Sequence, residues 1–359
     1  MAKLRLGFIG WLLWEEGPDW ETVAWCDIHE PRLRHRAQQH PAVALYTDWR
    51  QMLRHGGLDV VCIAVPNYLH CEMACAFLEA GQHVFLEKPM AITREQLDRL
   101  IVTQRRSGRS LTIDFEMRVS PFAGRLKRLL DCGDFGELRR IEFIHHRGGY
   151  LEEGSGIWRT RPETSGGLFL EEPVHGVDIF RFFAGEIKAV QALSGPNVLK
   201  NYQVPDNCCA HFFFESGAVG TLLTTHTLSA VTKDPKHWPM LGHDMNMIFT
   251  CEQGTIAVDF IASRILTNRY EDHPPGARGT RVVFERAEDY SLRGGHMSFF
   301  HDIDLMRREF FRRCARGEPP VQDPLDAWRS HIVCLAVEES ATTDFRRIEV
   351  DYTLPQELG

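Results

Sequence analysis

Val84-Phe85-Leu86-Glu87-Lys88-Pro89 is the stretch from which the rest of the chain is best read. A continuous apolar run ending on two opposite charges and a proline puts Glu87 and Lys88 at the carboxyl edge of a buried parallel sheet. Open α/β sheets hold their ligands along that edge. A lysine there, partly desolvated and beside a glutamate, has a pKa open to tuning for proton transfer. The same tripeptide also suits a surface ion pair before a proline turn, so its surroundings decide between the two.

Outward from this run, the first third of the chain alternates strand and helix. Residues 4–9 read as an apolar strand and residues 22–26 as the next. Residues 58–65 (Leu-Asp-Val-Val-Cys-Ile-Ala-Val) have the β-branched composition of a buried one. Residues 70–80 carry Met73, Ala74, Phe77 and Leu78 on one helical face and stop at Gly81. Thr93 and Gln96 make a capping box for a helix ending near Gly108, and residues 111–113 add another strand. This order predicts a doubly wound, Rossmann-like parallel sheet over residues 1–117. From residue 118 the pattern changes. Helices are expected over 121–130 and 169–183 and a strand at 141–144. Alternating runs follow at 189–193, 208–215, 218–225, 245–251, 255–260 and 280–285. They predict an α+β second domain, residues 118–359, on an open, mostly antiparallel sheet. Two helices, about 300–315 and 325–342, close the chain and are candidates to pack back on the first domain.

The expected helix over 169–183 carries a second constellation. Glu171, His175 and Asp178 are spaced i, i+4, i+7 and so share one face of an otherwise apolar helix. Three ionisable groups in line on such an element cost stability unless they are paired or catalytic. An acid–base site and a structural triad in which Asp178 orients His175 both satisfy that condition. Glu172 is expected to point elsewhere.

The 359 residues suffice for two domains with sizeable cores. A net charge of -8 gives no electrostatic reason to expect nucleic acid or an anionic membrane as partner. The apolar stretches are far shorter than a membrane span, no signal peptide is visible, and the 10 cysteines include no Cys-x-x-Cys pair. A reduced, cytoplasmic protein is expected.

Glu-Lys-Pro at a strand end, followed by Ser165-Gly166-Gly167-Leu168-Phe169-Leu170-Glu171-Glu172-Pro173-Val174-His175-Gly176-Val177-Asp178, resembles the glucose-fructose oxidoreductase/inositol dehydrogenase/MocA family. Pro66-Asn67-x-x-His70, Trp158-Arg159, Gly242-His243 ahead of Gln253-Gly254-Thr255, Gly294-Gly295-His296 and Glu339-Ser340 extend the likeness over nearly the whole chain. The resemblance implies an oxidoreductase acting with NAD, less readily NADP, on a hydroxyl or carbonyl of a sugar, polyol or cyclitol. It implies that Lys88 hydrogen-bonds the reacting oxygen and relays its proton, that His175 contacts the same oxygen or acts as acid/base, and that Asp178 supports or extends that contact. Glu171 stands where many relatives have an aspartate. Asp27 matches the acid that binds the adenosine ribose, and Gly7, Gly10, Pro66, Asn67, His70 and Glu87 join it as candidate cofactor residues. Arg118, Trp158, Arg159 and His296 are candidate substrate residues. A homo-oligomer paired through the second-domain sheet is also implied.

The chain departs from the pattern at its phosphate loop. Dinucleotide folds place Gly-x-Gly-x-x-Gly after the first strand so that backbone amides reach the pyrophosphate at a helix N-terminus. Here Leu12 and Glu15 fall where the second and third glycines belong, and only about a dozen residues separate Gly10 from the next strand. Trp11, Trp14 and Trp20 suit either an apolar plug over an empty crevice or a stacking platform. Three readings follow. One is a nicotinamide-dependent dehydrogenase with an unusual phosphate grip. Another is a relative without the cofactor, working by proton transfer alone as an isomerase, lyase or hydrolase, or serving as a binding subunit. The last is a metal site joining Glu171 or Glu172 and His175 to His226, His243 or His296; no short ligand motif supports it.

Overall fold

A computed structural model describes residues 3–10, 16–148, 156–227, 244–271, 281–291 and 299–358. The apolar run that ends in Glu87-Lys88 is β5 (His83–Leu86) of a six-stranded sheet. Its companions are β1 (Leu4–Gly10), β2 (Trp20–Cys26), β3 (Ala44–Tyr46), β4 (Val60–Ala64) and β6 (Leu111–Ile113). The strand order is β3-β2-β1-β4-β5-β6 with every neighbour parallel. The order reverses between β1 and β4, which opens the ligand crevice outside their carboxyl ends. Helices α1 (Glu30–Gln39), α2 (Trp49–Leu53), α3 (His70–Glu79) and α4 (Arg94–Ser107) connect the strands. Half of the expected capping box forms: Thr93 Oγ1 accepts from Gln96 N at 3.3 Å, whereas Gln96 Oε1 accepts at 3.2 Å from the N–H of Ile92, one residue before the cap. Helix α1 was not legible because it buries only Leu33 and so has no apolar stripe. β3, three residues long and half-buried, has no pattern to read.

A second sheet of nine strands has the order β14-β13-β12-β11-β7-β10-β9-β8-β15. Its members are β7 (Leu138–His146), β8 (Ile187–Leu193), β9 (Asn207–Phe214), β10 (Val219–Thr225), β11 (Asp244–Cys251), β12 (Gly254–Asp259), β13 (Arg264–Glu271), β14 (Arg281–Asp289) and β15 (Ile348–Glu349). All pairings are antiparallel except β7 with β10. β13 escaped the sequence reading because only Ile265 and Thr267 of it are buried, which leaves no alternating apolar run to read. One face of this sheet is covered by α5 (Pro121–Asp131), α8 (Val174–Ala184) and the later helix α10 (Pro324–Thr342). Between α5 and α8 lie two short helices, α6 (Pro162–Ser165) and α7 (Leu168–Glu171).

The passage from β1 to β2 takes residues 11–19. Of these, 11–15, with Trp11, Leu12, Trp14 and Glu15, lie outside the described residues, and 16–19 contain no helix. Nine residues leave no length for the usual crossover helix. The corresponding face of the sheet is covered from the other end of the chain by α9 (Ile303–Arg316), whose Met306, Phe310 and Phe311 pack with Phe8, Trp20, Trp25 and Phe85. The Trp20 and Phe311 rings lie 5.6 Å apart and those of Phe85 and Phe310 5.8 Å. Trp20 is therefore core, not a stacking platform. Helix α10 also ties the two sheets together, as the Trp328 indole donates to Asp98 at 2.8 Å.

Gly10 closes β1 with φ +83°, and a β-carbon there would overlap the Ala64 carbonyl oxygen of β4. Gly7, expected as a cofactor residue, lies instead in mid-strand, where its missing side chain admits Met52. Gly10→Ala should therefore cost about 2–3 kcal/mol of unfolding free energy, from strained φ plus a backbone clash that no rotamer relieves. Urea denaturation measures this, and a loss under about 0.5 kcal/mol would show that the strand end tolerates a side chain.

Candidate active site

The turn after β5 is fixed before any side chain is added to the crevice. The buried His70 ring lies between the ends of two strands, with Nδ1 2.6 Å from Pro89 O and Nε2 2.8 Å from Val65 O. Met90 N donates to His331 Nε2 at 2.7 Å, and His331 Nδ1 donates to Ala327 O at 2.7 Å. Burial lowers both pKa values to about 4, against the pull of the two carbonyl oxygens on His70 and of Ala327 O on His331. His70, expected to line the cofactor crevice, is fully buried and acts as a clamp on the Lys88–Pro89 turn. Asn67 is likewise turned inward, its Nδ2 donating to Ser165 O at 2.9 Å. Pro66 precedes the short 3-10 turn that carries it.

The stretch expected as one helix breaks in two. Pro173 has no N–H to continue a helix, and Glu172 turns away with φ -125° between α7 and α8. Glu171, His175 and Asp178 therefore share no common face. The Lys88 ammonium donates to the Glu171 carbonyl oxygen, while the Glu171 carboxylate pairs with Arg159. Arg159 in turn stacks on Trp158 at 4.4 Å. Glu172, expected to point elsewhere, is the carboxylate that faces Lys88, with Oε1 4.0 Å from Nζ. Burial works to raise the Glu172 pKa, but Arg147, which pairs with it, and then Lys88 hold it well below the usual carboxylate range.

His175 occupies the first turn of α8, with Nδ1 3.6 Å from Glu116 Oε2; the other Glu116 oxygen pairs with His301. Burial lowers the His175 pKa to about 4, against the pull of Glu116 and with Lys88 reinforcing it. The ring is neutral and able to accept a proton. Just behind lie the half-buried Glu87 and the buried Asp114. Burial raises both pKa values, that of Asp114 well above its usual range, and a hydrogen bond links the two carboxyls. The buried Arg307 of α9 faces Asp114.

Two expected site residues are engaged elsewhere. Asp178 receives Arg118 Nε and Nη2 at 2.6 Å each and Ser330 Oγ at 2.8 Å. Arg118 also reaches Asp326, which Arg181 grips from the other side at 2.7 Å. This buried network joins α8 to α10, so Asp178 does not extend His175 and Arg118 is not offered to a substrate. His243 and His296 lie outside the described residues. Among the described residues no group of three or more His, Cys, Asp and Glu side chains could hold a metal ion. The residues that sequence reasoning missed are Glu172, Arg147, Glu116 and His301. Asp114 and Glu116 follow the end of β6 much as Glu87 follows β5, and that position was the available signal.

Candidate nucleotide residues stand at both ends of the crevice. At one end Gly10 clears the mouth between β1 and β4, and Asp27 ends β2. Asp27 Oδ1 accepts from His29 N at 2.9 Å, and its Oδ2 pairs with Arg32 at 2.6 Å. At the other end stand Glu87 and Lys88. Comparison with known proteins agrees with this geometry. A model described as an oxidoreductase family with an NAD-binding Rossmann fold matches residues 10–115, and a GFO/IDH/MocA C-terminal domain model matches residues 124–257. The chain belongs to this family of NAD-dependent oxidoreductases. It is similar to scyllo-inositol 2-dehydrogenase (NAD(+)) of Bacillus subtilis strain 168, 25% identical over 82% of this chain and 78% of the relative. It is also similar to myo-inositol 2-dehydrogenase of Thermotoga maritima, 21% identical over 88% and 86%. Among solved structures, levoglucosan dehydrogenase in complex with NADH and L-sorbose has a TM-score of 0.78 at 19% identity, over 98% of this chain and all of that one. The WlbA dehydrogenase of Bordetella pertussis, with NADH and UDP-GlcNAcA, scores 0.79 at 22% identity over 98% of both.

Two measurements test the placements. Arg118→Ala leaves Asp178 buried and uncompensated, so unfolding free energy should fall by about 3–5 kcal/mol; an unchanged stability with a raised KM would return Arg118 to the substrate. The second concerns Glu338 of α10, which accepts from Phe169 N at the start of α7 and fills the space beside Gly167. Burial pushes its pKa up to about 7. The proton it binds in the folded state stabilises fully below the unfolded value near 4.5, and that stability is lost as pH rises through 7. Glu338→Gln should gain up to about 3 kcal/mol over the parent at pH 8.5 and almost nothing at pH 5. Equal urea curves at both pH values would contradict this.

Proposed function

We propose that the protein is an NAD-dependent dehydrogenase that interconverts a secondary hydroxyl and a carbonyl on a sugar, polyol or cyclitol. The observation that carries the proposal is the convergence of the Lys88 ammonium, the Glu172 carboxylate and the neutral His175 ring at the carboxyl edge of β5. NAD, when bound, would supply the acceptor for the hydride released by the reacting carbon. Lys88, oriented by the Glu171 carbonyl and faced by the Glu172 carboxylate, hydrogen-bonds the reacting oxygen and stabilises negative charge as the hydroxyl proton leaves. His175 accepts that proton. Gly10, Asp27 and Glu87 would hold the nucleotide along the sheet edge. Trp158 and Arg159 supply a stacking surface and hydroxyl donors for the substrate. The relatives named for inositols and levoglucosan support a ring-shaped polyhydroxy substrate.

In this reading the protein pairs through the uncovered face of the second sheet, where Val219, Leu223 and Ile248 are exposed. The 10 cysteines, all free thiols, suit a cytoplasmic location. The division near residue 117 separates the nucleotide and substrate halves.

Lys88→Met keeps the bulk and removes the donor, so kcat for NAD reduction with a responsive polyol should fall at least about a hundredfold without loss of folding. Glu172→Gln should lower kcat by less, about tenfold. Near-parental kcat in Lys88→Met, read as NADH absorbance, would remove Lys88 from the chemistry. Turnover of a polyol with no nucleotide reduced in the parent would favour cofactor-free proton transfer.

A further inference from the structure

The dehydrogenase reading places a proton on His175 while substrate and nucleotide enclose the ring, and does not say what balances that charge. The His175 side chain is 13% exposed and Lys88 12%, and a bound substrate and nucleotide would cover both. Behind His175 the chain places Glu116, whose side chain is 1% exposed, and behind that His301, whose side chain is 29% exposed. One carboxylate thus lies between two imidazoles: Glu116 Oε2 is 3.6 Å from His175 Nδ1, and Glu116 Oε1 pairs with His301 Nδ1. Both His175 Nδ1 and Glu116 Oε2 are buried without another hydrogen-bond partner, so each is aimed at the other across a gap slightly too long for a bond. The two rings stand 5.7 Å apart at 78°.

We propose that Glu116 and His301 form a charge-shift unit with His175, in which His301 releases a proton to solvent as His175 takes one from the substrate hydroxyl. The inference rests on the dehydrogenase reading of the site. At rest His301 is the charged partner of Glu116 and His175 is neutral, with Nδ1–H toward Glu116 and the Nε2 lone pair toward the substrate. In turnover the substrate O–H bond breaks and an Nε2–H bond forms on His175. The outer Nε2–H of His301 goes to water. Glu116 keeps one imidazolium and one neutral imidazole throughout, and both Nδ1–H groups stay directed at it, so no ring has to turn over. When product leaves, His175 gives its proton to water and His301 regains one. The net release is the single proton of the oxidised hydroxyl. Glu116 and His301 act through His175 and are positioning residues.

The electrostatic setting agrees with this direction. Burial works to lower the His301 pKa, but Glu116, then Glu87 and Glu172, carry it above its ordinary value. Burial works to raise the Glu116 pKa, and His175 and His301 bring it below the usual range. The other charged groups bearing on the unit are Lys88 beside His175, and Glu87 and Asp114 beside Glu116. Burial raises the pKa of both Glu87 and Asp114, that of Asp114 the further.

The test is histidine titration by NMR in the unliganded protein, together with the pH profile of kcat/KM. His301→Gln leaves the Glu116 charge wholly to His175 and removes a competing cation. The His175 titration should rise by about 1 unit or more, and the acid limb of kcat/KM should rise with it. Glu116→Gln should lower the His301 titration by about 1 unit. A His175 titration within about 0.2 unit of the parent in His301→Gln, or a His301 titration unmoved in Glu116→Gln, would overturn the proposal. If one variant does not fold, the other decides. A parent protein that reduces no NAD with any polyol would end the dehydrogenase reading, while the NMR shifts would still judge the coupling.

Discussion

The Lys88 ammonium is the point on which the two halves of this molecule are set. It leaves the end of β5 and is received by the Glu171 carbonyl, with the Glu172 carboxylate 4.0 Å away. Each partner is supplied by a break in regular structure. His70 clamps the turn after Lys88 against the end of β4, and Pro173 interrupts what would otherwise be one long helix. Because α7 ends at Glu171, consecutive glutamates diverge. One carboxylate goes to Arg159, the other to Arg147 and Lys88, and the Glu171 carbonyl receives the lysine's hydrogen bond. A continuous helix would have committed that carbonyl to its own ladder. The site therefore depends on an unfinished helix end and on Glu338, which caps the start of the same short helix from α10.

A second constraint is the short connection, residues 11–19, between the parallel strands β1 and β2. An exposed face of the parallel sheet would leave Phe8, Val60, Cys62 and Phe85 in water. Helix α9, from near the end of the chain, covers them, and Trp20 and Trp25 add the remaining volume. The same helix supplies Arg307, which faces the Glu87–Asp114 pair. The arrangement couples the sheet core to the acid cluster beneath the crevice. It also explains how a chain so short at its first turn keeps the 3-2-1-4-5-6 strand order.

Much of this was legible in the residues. The apolar runs with β-branched composition became β1, β2, β4, β5 and β6, and Thr93 capped α4. What escaped was local geometry that a periodicity does not carry. The i, i+4, i+7 spacing of Glu171, His175 and Asp178 presumes an unbroken helix, and Pro173 in the middle of it cancels the premise. Arg118 and Asp178 are charged residues whose partners, Asp326 and Ser330, lie far along the chain, so their burial was invisible. Gly7 and Gly10 look alike in sequence. Only the strand ends distinguish a packing glycine from one at the crevice mouth. Asp114 and Glu116 were readable by the rule applied to Glu87 and Lys88, because they too follow a buried strand.

The central claim is that the crevice at the β1–β4 reversal delivers a nicotinamide to Lys88 and His175. A crystal structure of the protein with NAD and a cyclic polyol measures this directly. The account predicts adenosine at Asp27 and the nicotinamide ring beside Lys88, with a polyol hydroxyl within hydrogen-bond reach of both Lys88 Nζ and His175 Nε2. A polyol bound at Lys88 with no nucleotide along the sheet edge at saturating NAD, or a nicotinamide remote from His175, would contradict it.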